Sequence, residues 1–414
     1  MTTSRILFAT AATTIALASY ADNGNDIKDN EFNPVQTGVT TLSITPDARG
    51  SAMGNLGAAT DADINAQFWN PSKYAFAYSA GGVGISYTPW LRKIVNDIFL
   101  ADVSGYLKLG SSDNQAISAS LRYFSLGEVI VNDDGLGANT INPYEFAFDF
   151  GYSRKLSEKF SMGVVLRYIL SDLSYEDSYS GDTNTAGSAF AVDLSGYYTT
   201  YPIIGRSECQ WSWGFNISNI GSKVSYDHGT NYYYLPTNLR LGTNFTFPLA
   251  DYNLLSIGLD LNKLLVPTKP RESDYINPGG AYYDPDKDEA QNSAAYDDAL
   301  QKWETMSPIS GIFKSFSDAP GGLSEELKEI NVSIGGEYSY NDQFFVRLGY
   351  NYENAMKGGR SYFGFGAGFS LNVVRLDASY MLATAQSSPL DQTMRFTLSF
   401  DMDGIRDLLG KRRR

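Results

Sequence analysis

The stretch Phe146-Ala147-Phe148-Asp149-Phe150-Gly151-Tyr152-Ser153 alternates aromatic with small or acidic side chains. A period of two is the period of a β-strand, whose successive side chains leave opposite faces of the sheet. The same pattern follows directly, with Met162, Val164, Leu166, Tyr168 and Leu170 set against Ser161, Gly163, Val165 and Arg167. It returns in Phe344, Val346, Leu348, Tyr350 and Tyr352, and again in Met394, Phe396, Leu398 and Phe400. Read outward from this centre, the alternation predicts strands at 81–89, 98–109, 115–126, 143–155, 159–171, 187–200, 208–220, 235–247, 252–264, 329–341, 343–353, 361–372, 373–384 and 392–402. That is fourteen, an even number.

Two architectures produce such alternation. A soluble sandwich buries the apolar face with strands of about 5–6 residues. A membrane barrel turns the apolar face to lipid with strands of about 9–11 residues. The lengths here fit the barrel, and so do the connections. Those after even strands are tight, as in Gly110–Asp113, Leu156–Glu158, Pro248–Asp251 and Asn341-Asp342. Those after odd strands are longer, culminating in Leu265–Lys328. Short periplasmic turns and long outer loops are the outer-membrane rule. The sequence therefore predicts an all-β fold, a fourteen-stranded antiparallel transmembrane β-barrel over 81–402 with both termini in the periplasm.

Composition narrows the function. The 414 residues carry a net charge of −14, which disfavours nucleic acid as a partner. With His228 the only histidine and Cys209 the only cysteine, there is no second imidazole for a triad, no HExxH, no CxxC and no iron–sulfur cluster. No enzyme and no cofactor is expected. Met1–Ala21 reads as a secretory signal peptide, with Arg5 before an apolar run and Ser19-Tyr20-Ala21 as a small-x-small cleavage site.

Residues 22–80 lack alternation and are rich in small side chains, then carry Phe68-Trp69-Asn70-Pro71. Small residues pack tightly and Asn-Pro starts a turn, so the segment is expected inside the barrel as a plug, or hatch, built on Arg49, Met53, Gly54, Asp61, Phe68, Trp69, Asn70 and Pro71. Gly364, Gly366 and Gly368 share the inward face of one strand and would make room for it. This GxGxG is not a phosphate loop, because no βαβ unit surrounds it. Inward Asp149, Asp193, Arg167, Arg240, Asp260, Glu337, Arg347, Arg375, Asp377 and Arg395 make a polar lumen, and some could clamp the plug through Arg49 or Asp61. The connection 265–328 is expected to form a long acidic outer loop, with thirteen acidic and six basic residues counted over 265–330. Its Tyr275, Tyr282, Tyr283, Trp303, Ile312, Phe313 and Phe316 are candidate partner contacts, against the plainer reading of a solvated loop facing lipopolysaccharide. Tyr232-Tyr233-Tyr234 is read as part of an aromatic girdle. Residues 403–414 form a periplasmic tail ending in Lys411-Arg412-Arg413-Arg414, suited to phospholipid headgroups or a partner.

The stretch Pro46–Ala77, with AR-x-SAMG-x-LGAATDAD followed by FWNPSKYAFA, resembles the hatch of the FadL-like fourteen-stranded barrels. Together with Asn33-Pro34-Val35-Gln36-Thr37-Gly38 and the entry Leu235–Gly242, it is similar to the PorV (LptO) family of type IX secretion barrels. That resemblance implies a non-enzymatic outer-membrane protein. Its implied partners are a giant translocon barrel, secreted cargo bearing a C-terminal signal domain, and a surface sortase and attachment complex, in contact with membrane lipid and lipopolysaccharide. It would bind cargo at the translocon and carry it to the attachment complex. A FadL-type channel for hydrophobic small molecules is the alternative, and an adhesin a third.

Overall fold

The computed structural model describes residues 32–90, 97–110, 113–133, 137–176, 183–371, 373–384 and 391–403. The expected signal peptide, 1–21, and residues 404–414 of the expected basic tail lie outside them. The fourteen barrel strands are β1 Gly81–Pro89, β2 Ile98–Leu109, β3 Gln115–Leu126, β4 Tyr144–Lys155 and β5 Phe160–Asp172. They continue as β6 Gly187–Thr200, β7 Gln210–Gly221, β8 Asn238–Ala250, β9 Asn253–Leu264 and β10 Asn331–Tyr340. The last are β11 Phe344–Tyr352, β12 Tyr362–Leu371, β13 Val374–Ala383 and β14 Met394–Asp401.

Each strand pairs antiparallel with its neighbours in sequence, and β1 closes on β14 from Gly82↔Asp401 to Tyr87↔Phe396. Closure removes the unpaired edge that a bilayer would not tolerate. The ladders are continuous apart from register shifts at Val192/Leu194 between β6 and β7 and at Pro248/Ala250 between β8 and β9. The second falls where proline, which cannot donate to a ladder, is tolerated.

The alternation read from sequence is the alternation of the wall. Phe148, Phe150, Leu166, Val346, Leu348, Phe363, Phe365 and Phe396 are exposed on the outside, while Asp149, Arg167, Arg347 and Arg395 are buried on the inside. An outward apolar band over a polar interior is the pattern lipid selects. No helix among the described residues is long and apolar enough to cross a membrane. Three short hairpins sit on connections, Val129–Asp133 with Gly137–Ile141, Tyr175–Glu176 with Thr183–Asn184, and Ile203–Ile204 with Ser207–Glu208. Sequence alternation over so few residues gives no usable signal.

The connections after even strands gather at one rim and those after odd strands at the other, because antiparallel strands reverse direction. The two ends of the barrel, Gly81 and Asp401, share the short-turn rim, and the Asp403 carboxylate accepts from Ala80 N there at 2.8 Å. The segment before the plug does not share it. Asn33 N donates to Met356 O at 2.9 Å, in the connection after β11, so residue 33 lies at the long-connection rim. The expectation that both termini lie in the periplasm falls on residues outside the described ones. An even strand number fixes only where β1 starts and β14 stops, and the segment before β1 crosses the lumen.

Candidate functional site

Residues 40–77 fill the barrel with short turns of helix rather than strands. Asp47 caps the helix Ala48–Ala52, accepting from Gly50 N at 2.7 Å. Its other oxygen accepts from the Trp69 indole at 2.7 Å, which ties the two halves of the plug together. Trp69 is fully buried, and a side chain at Gly50 or Gly57 would collide with its ring. Gly54 sits at φ 73 against the Tyr350 backbone, a turn that a residue with a side chain rarely adopts. Asn70 donates to Ala58 O at 2.8 Å and to Gly196 O of β6 at 3.0 Å, while its carbonyl caps the 3-10 helix Pro71–Phe76. Phe68 lies under the Arg122 guanidinium, 4.8 Å from ring centre to Cζ. Between Arg49, Met53 and Trp69 there is no room for a water-sized sphere.

Charges join plug to wall. Glu337 of β10 accepts from Arg49 Nη2 at 2.8 Å and Nε at 3.1 Å, and from Arg347 Nε of β11 at 2.5 Å. Arg347 also pairs with Asp377 at 2.7 Å, which Arg375 shares at 2.8 Å. Arg49 pairs with Asp63 within the plug at 2.9 Å. Three guanidinium groups thus face three carboxylates, the compensation that burial of charge demands. Asp61, the other suggested clamp, receives a neutral donor instead, Gln210 Nε2 at 2.7 Å. Elsewhere Asp260 accepts from Gly57 N and Ala58 N at 2.8 and 2.9 Å, and Arg395 donates to Ser51 Oγ at 2.7 Å. Arg167 stays within the wall, pairing with Asp149 and Asp193 at 2.7 and 3.0 Å. Sequence reading missed Lys73, fully buried in the plug, whose ammonium donates to Gly57 O at 2.8 Å and Thr60 Oγ1 at 3.1 Å.

The wall is thinned where the plug touches it. A Cβ at Gly364 would stand 2.4 Å from Ser51 O, and one at Gly366 2.4 Å from the Ala52 Cβ. Gly368 shares that face, but its space goes to the Arg347–Asp377 pair rather than the plug. Further contacts escaped the sequence, among them Gly349 and Gly335 against Met53, and Gly214 against Ala58 O. Gly214 and Gly349 stand alone in mid-strand and Gly335 is paired only with Gly336, so no alternating run flags them.

At the opposite end, the long connection is folded rather than loose. It holds helices Glu272–Ile276, Glu289–Thr305, Pro308–Lys314 and Leu323–Lys328. The second starts with a capping box, Asp288 and Gln291. Trp303 is buried, donates to Pro267 O at 2.9 Å and packs edge-on against Tyr234 with ring centres 5.3 Å apart. The Tyr234 hydroxyl donates toward Trp303 O and Met306 O, each at 3.1 Å. Two readings are corrected here: Trp303 belongs to the loop's own small core, and Tyr234 anchors that loop instead of joining a girdle. Tyr275, Tyr283 and Ile312 are half-buried, the first stacked near Tyr282 at 5.0 Å. Tyr282, Phe313 and Phe316 are exposed. So are Ile309, Leu323 and Leu327, which the sequence reading passed over. Ile309 with Phe313, and Leu323 with Leu327, are four apart and share one face of each short helix, the signal that would have found them.

The end of the loop is pinned by ions. Lys263 donates to Glu326 at 3.0 Å and pairs with Glu329, while Lys357 pairs with Glu325 at 2.6 Å and Glu329 at 3.0 Å. Asp318 accepts from Thr268 N, and Glu326 accepts from Asp318 N at 2.8 Å. Burial, with Glu326 and Glu329 nearby, pushes the Asp318 carboxyl up to about 6.

The family described as type IX secretion system protein PorV matches residues 27–271, more than half of the chain, spanning the plug and the first nine strands. Among solved structures, the Pseudomonas putida toluene transporter TodX is similar at 11% identity and TM-score 0.47, over 86% of this chain and 97% of its own. The Ralstonia pickettii toluene transporter TbuX is similar at 12% identity and TM-score 0.44, over 87% and 99%. A FadL homologue of Pseudomonas aeruginosa is similar at 11% identity and TM-score 0.43, over 86% and 98%. No curated protein matches the chain.

Proposed function

Since this chain belongs to the PorV family of type IX secretion system proteins, we propose that it is a non-enzymatic adaptor in the outer membrane. It binds secreted cargo by a C-terminal signal domain as the cargo leaves the translocon barrel, and carries it to the surface sortase and attachment complex. The long connections face the cell surface and the short turns the periplasm. The observation that carries this reading is the plug. It is bonded to the wall by the buried Arg49–Glu337 ion pair and by backbone contacts at Gly335, Gly349 and Gly364, which leaves the rim as the working surface. That rim offers folded helices with exposed Ile309, Phe313, Phe316, Leu323 and Leu327, a set of apolar side chains suited to a protein partner.

A channel for hydrophobic small molecules would need a shifting plug and a gap in the wall. The β2–β3 and β3–β4 ladders run without interruption from Ile98↔Leu126 to Leu109↔Gln115 and from Gln115↔Arg154 to Ser125↔Tyr144, which favours the adaptor. Deletion of the gene separates the two. The adaptor predicts that many proteins sharing one C-terminal domain accumulate in the periplasm. Loss of growth on a single hydrophobic substrate, with secretion intact, would replace it with the channel.

A further inference from the structure

Residues 32–39 touch three separate connections of the same rim. In the connection after β11, Met356 O accepts from Asn33 N at 2.9 Å. In the long connection after β9, Arg271 Nη1 donates to Phe32 O at 3.4 Å, Glu325 accepts from Asn33 Nδ2 at 3.4 Å, and Val35 packs on Val266 and Trp303. In the connection after β7, Gly38 N donates to Tyr234 O at 2.8 Å, and Val39 packs with Val224 and Leu235. A Cβ at Gly38 would lie 2.7 Å from Val224 Cγ1 and 3.0 Å from Tyr233 Cβ. The backbone then descends. Thr41 O and Leu42 O accept from Arg122 of β3, Gly57 N meets Asp260 midway along β9, and Ser72 O accepts from Ser161 at the short-turn end of β5. Lys108 donates to Ala77 O at 2.6 Å before β1 begins.

We infer that the chain is threaded through its own barrel from the cell surface to the periplasm, and that residues 32–39 are a surface strap clamping three connections, among them the long one that carries the proposed interaction face. The strap and the plug are one continuous backbone, so a partner that moves the strap pulls on the segment held by Glu337. The side of the membrane rests on the orientation proposed above. The threading itself does not, because it concerns which rim the strap shares.

Cysteine labelling separates the two. Cys209 is the only native thiol and is buried, so a Cys209→Ser background is silent. Single cysteines replace Gln36 on the strap, Gly279 on the long connection and Asp251 on the β8–β9 turn, all exposed positions. A polyethylene-glycol maleimide too large to cross the outer membrane should label Gln36→Cys and Gly279→Cys in intact cells, and Asp251→Cys only after permeabilisation. Labelling of Gly279→Cys without Gln36→Cys overturns the threading. Labelling of Asp251→Cys alone overturns the orientation and leaves the threading standing. The clamp has its own readout. Gly38→Leu should speed hydrogen exchange in 223–236 and 265–268 while the heat-modifiable gel shift of the barrel is unchanged. Unchanged exchange there would overturn the clamp.

Discussion

Glu337 accepts from Arg49 on the plug and from Arg347 on the wall, so its removal leaves guanidinium charge buried on both sides. Breaking a buried pair by deleting one partner costs about 3–5 kcal/mol. Glu337→Ala should therefore lower the temperature of the barrel's heat-modifiable shift and open 47–77 to trypsin. An unchanged transition and digest would contradict the clamp. Gly366→Leu should act on the same contact by volume, since its Cβ would stand 2.4 Å from that of Ala52. The expected result is a protease-sensitive plug in a barrel that still closes, and a protected plug would contradict it. At the rim, the Asp318 carboxyl is held near 6 against an ordinary 3.8 by burial. A carboxyl raised in the folded state costs stability when ionised, and that cost disappears as pH falls through 6. Glu325 is lowered by Lys357, so its contribution fades only below its ordinary 4.5. Exchange protection of 265–320 should thus rise between pH 7.5 and 5, and Asp318→Asn should flatten that rise. A slope unchanged in the variant would contradict the assignment.

The strands were legible because successive wall residues face outside and inside in turn, and lipid and lumen impose opposite chemistry on the two faces. Phe146–Ser153 alone shows it. Gly364 and Gly366 were legible as a run, whereas Gly214, Gly335 and Gly349 belong to no alternating glycine run and were not. The direction of the plug was hidden, since 40–77 has no periodicity and its path is set by partners far away in sequence, such as Glu337 and Asp260. Trp303 was misread because an aromatic in an acidic loop looks the same whether it faces a partner or Tyr234. The loop is the element on which the adaptor account turns. Replacing 270–325 by a short Gly-Ser linker removes every helix of the long connection but the last few residues of Leu323–Lys328, and leaves β9 and β10 paired. The barrel should keep its heat-modifiable shift while cargo no longer co-purifies. Full cargo recovery would assign binding to another part of the rim.

As a whole, the molecule combines a closed wall, a lumen occupied by its own N-terminal segment, and a folded rim of long connections tied to that segment by residues 32–39. A plugged barrel of this kind is suited to holding a protein partner at the membrane, and the chain belongs to the PorV family of type IX secretion system proteins. The most direct measurement is affinity purification of the tagged protein from gently solubilised outer membranes, with mass spectrometry of the proteins and lipids that accompany it. The account predicts a very large barrel, a sortase-like protease and cargo proteins sharing one C-terminal domain. Recovery of the barrel alone, carrying bound fatty acid or another small hydrophobic ligand, would contradict it.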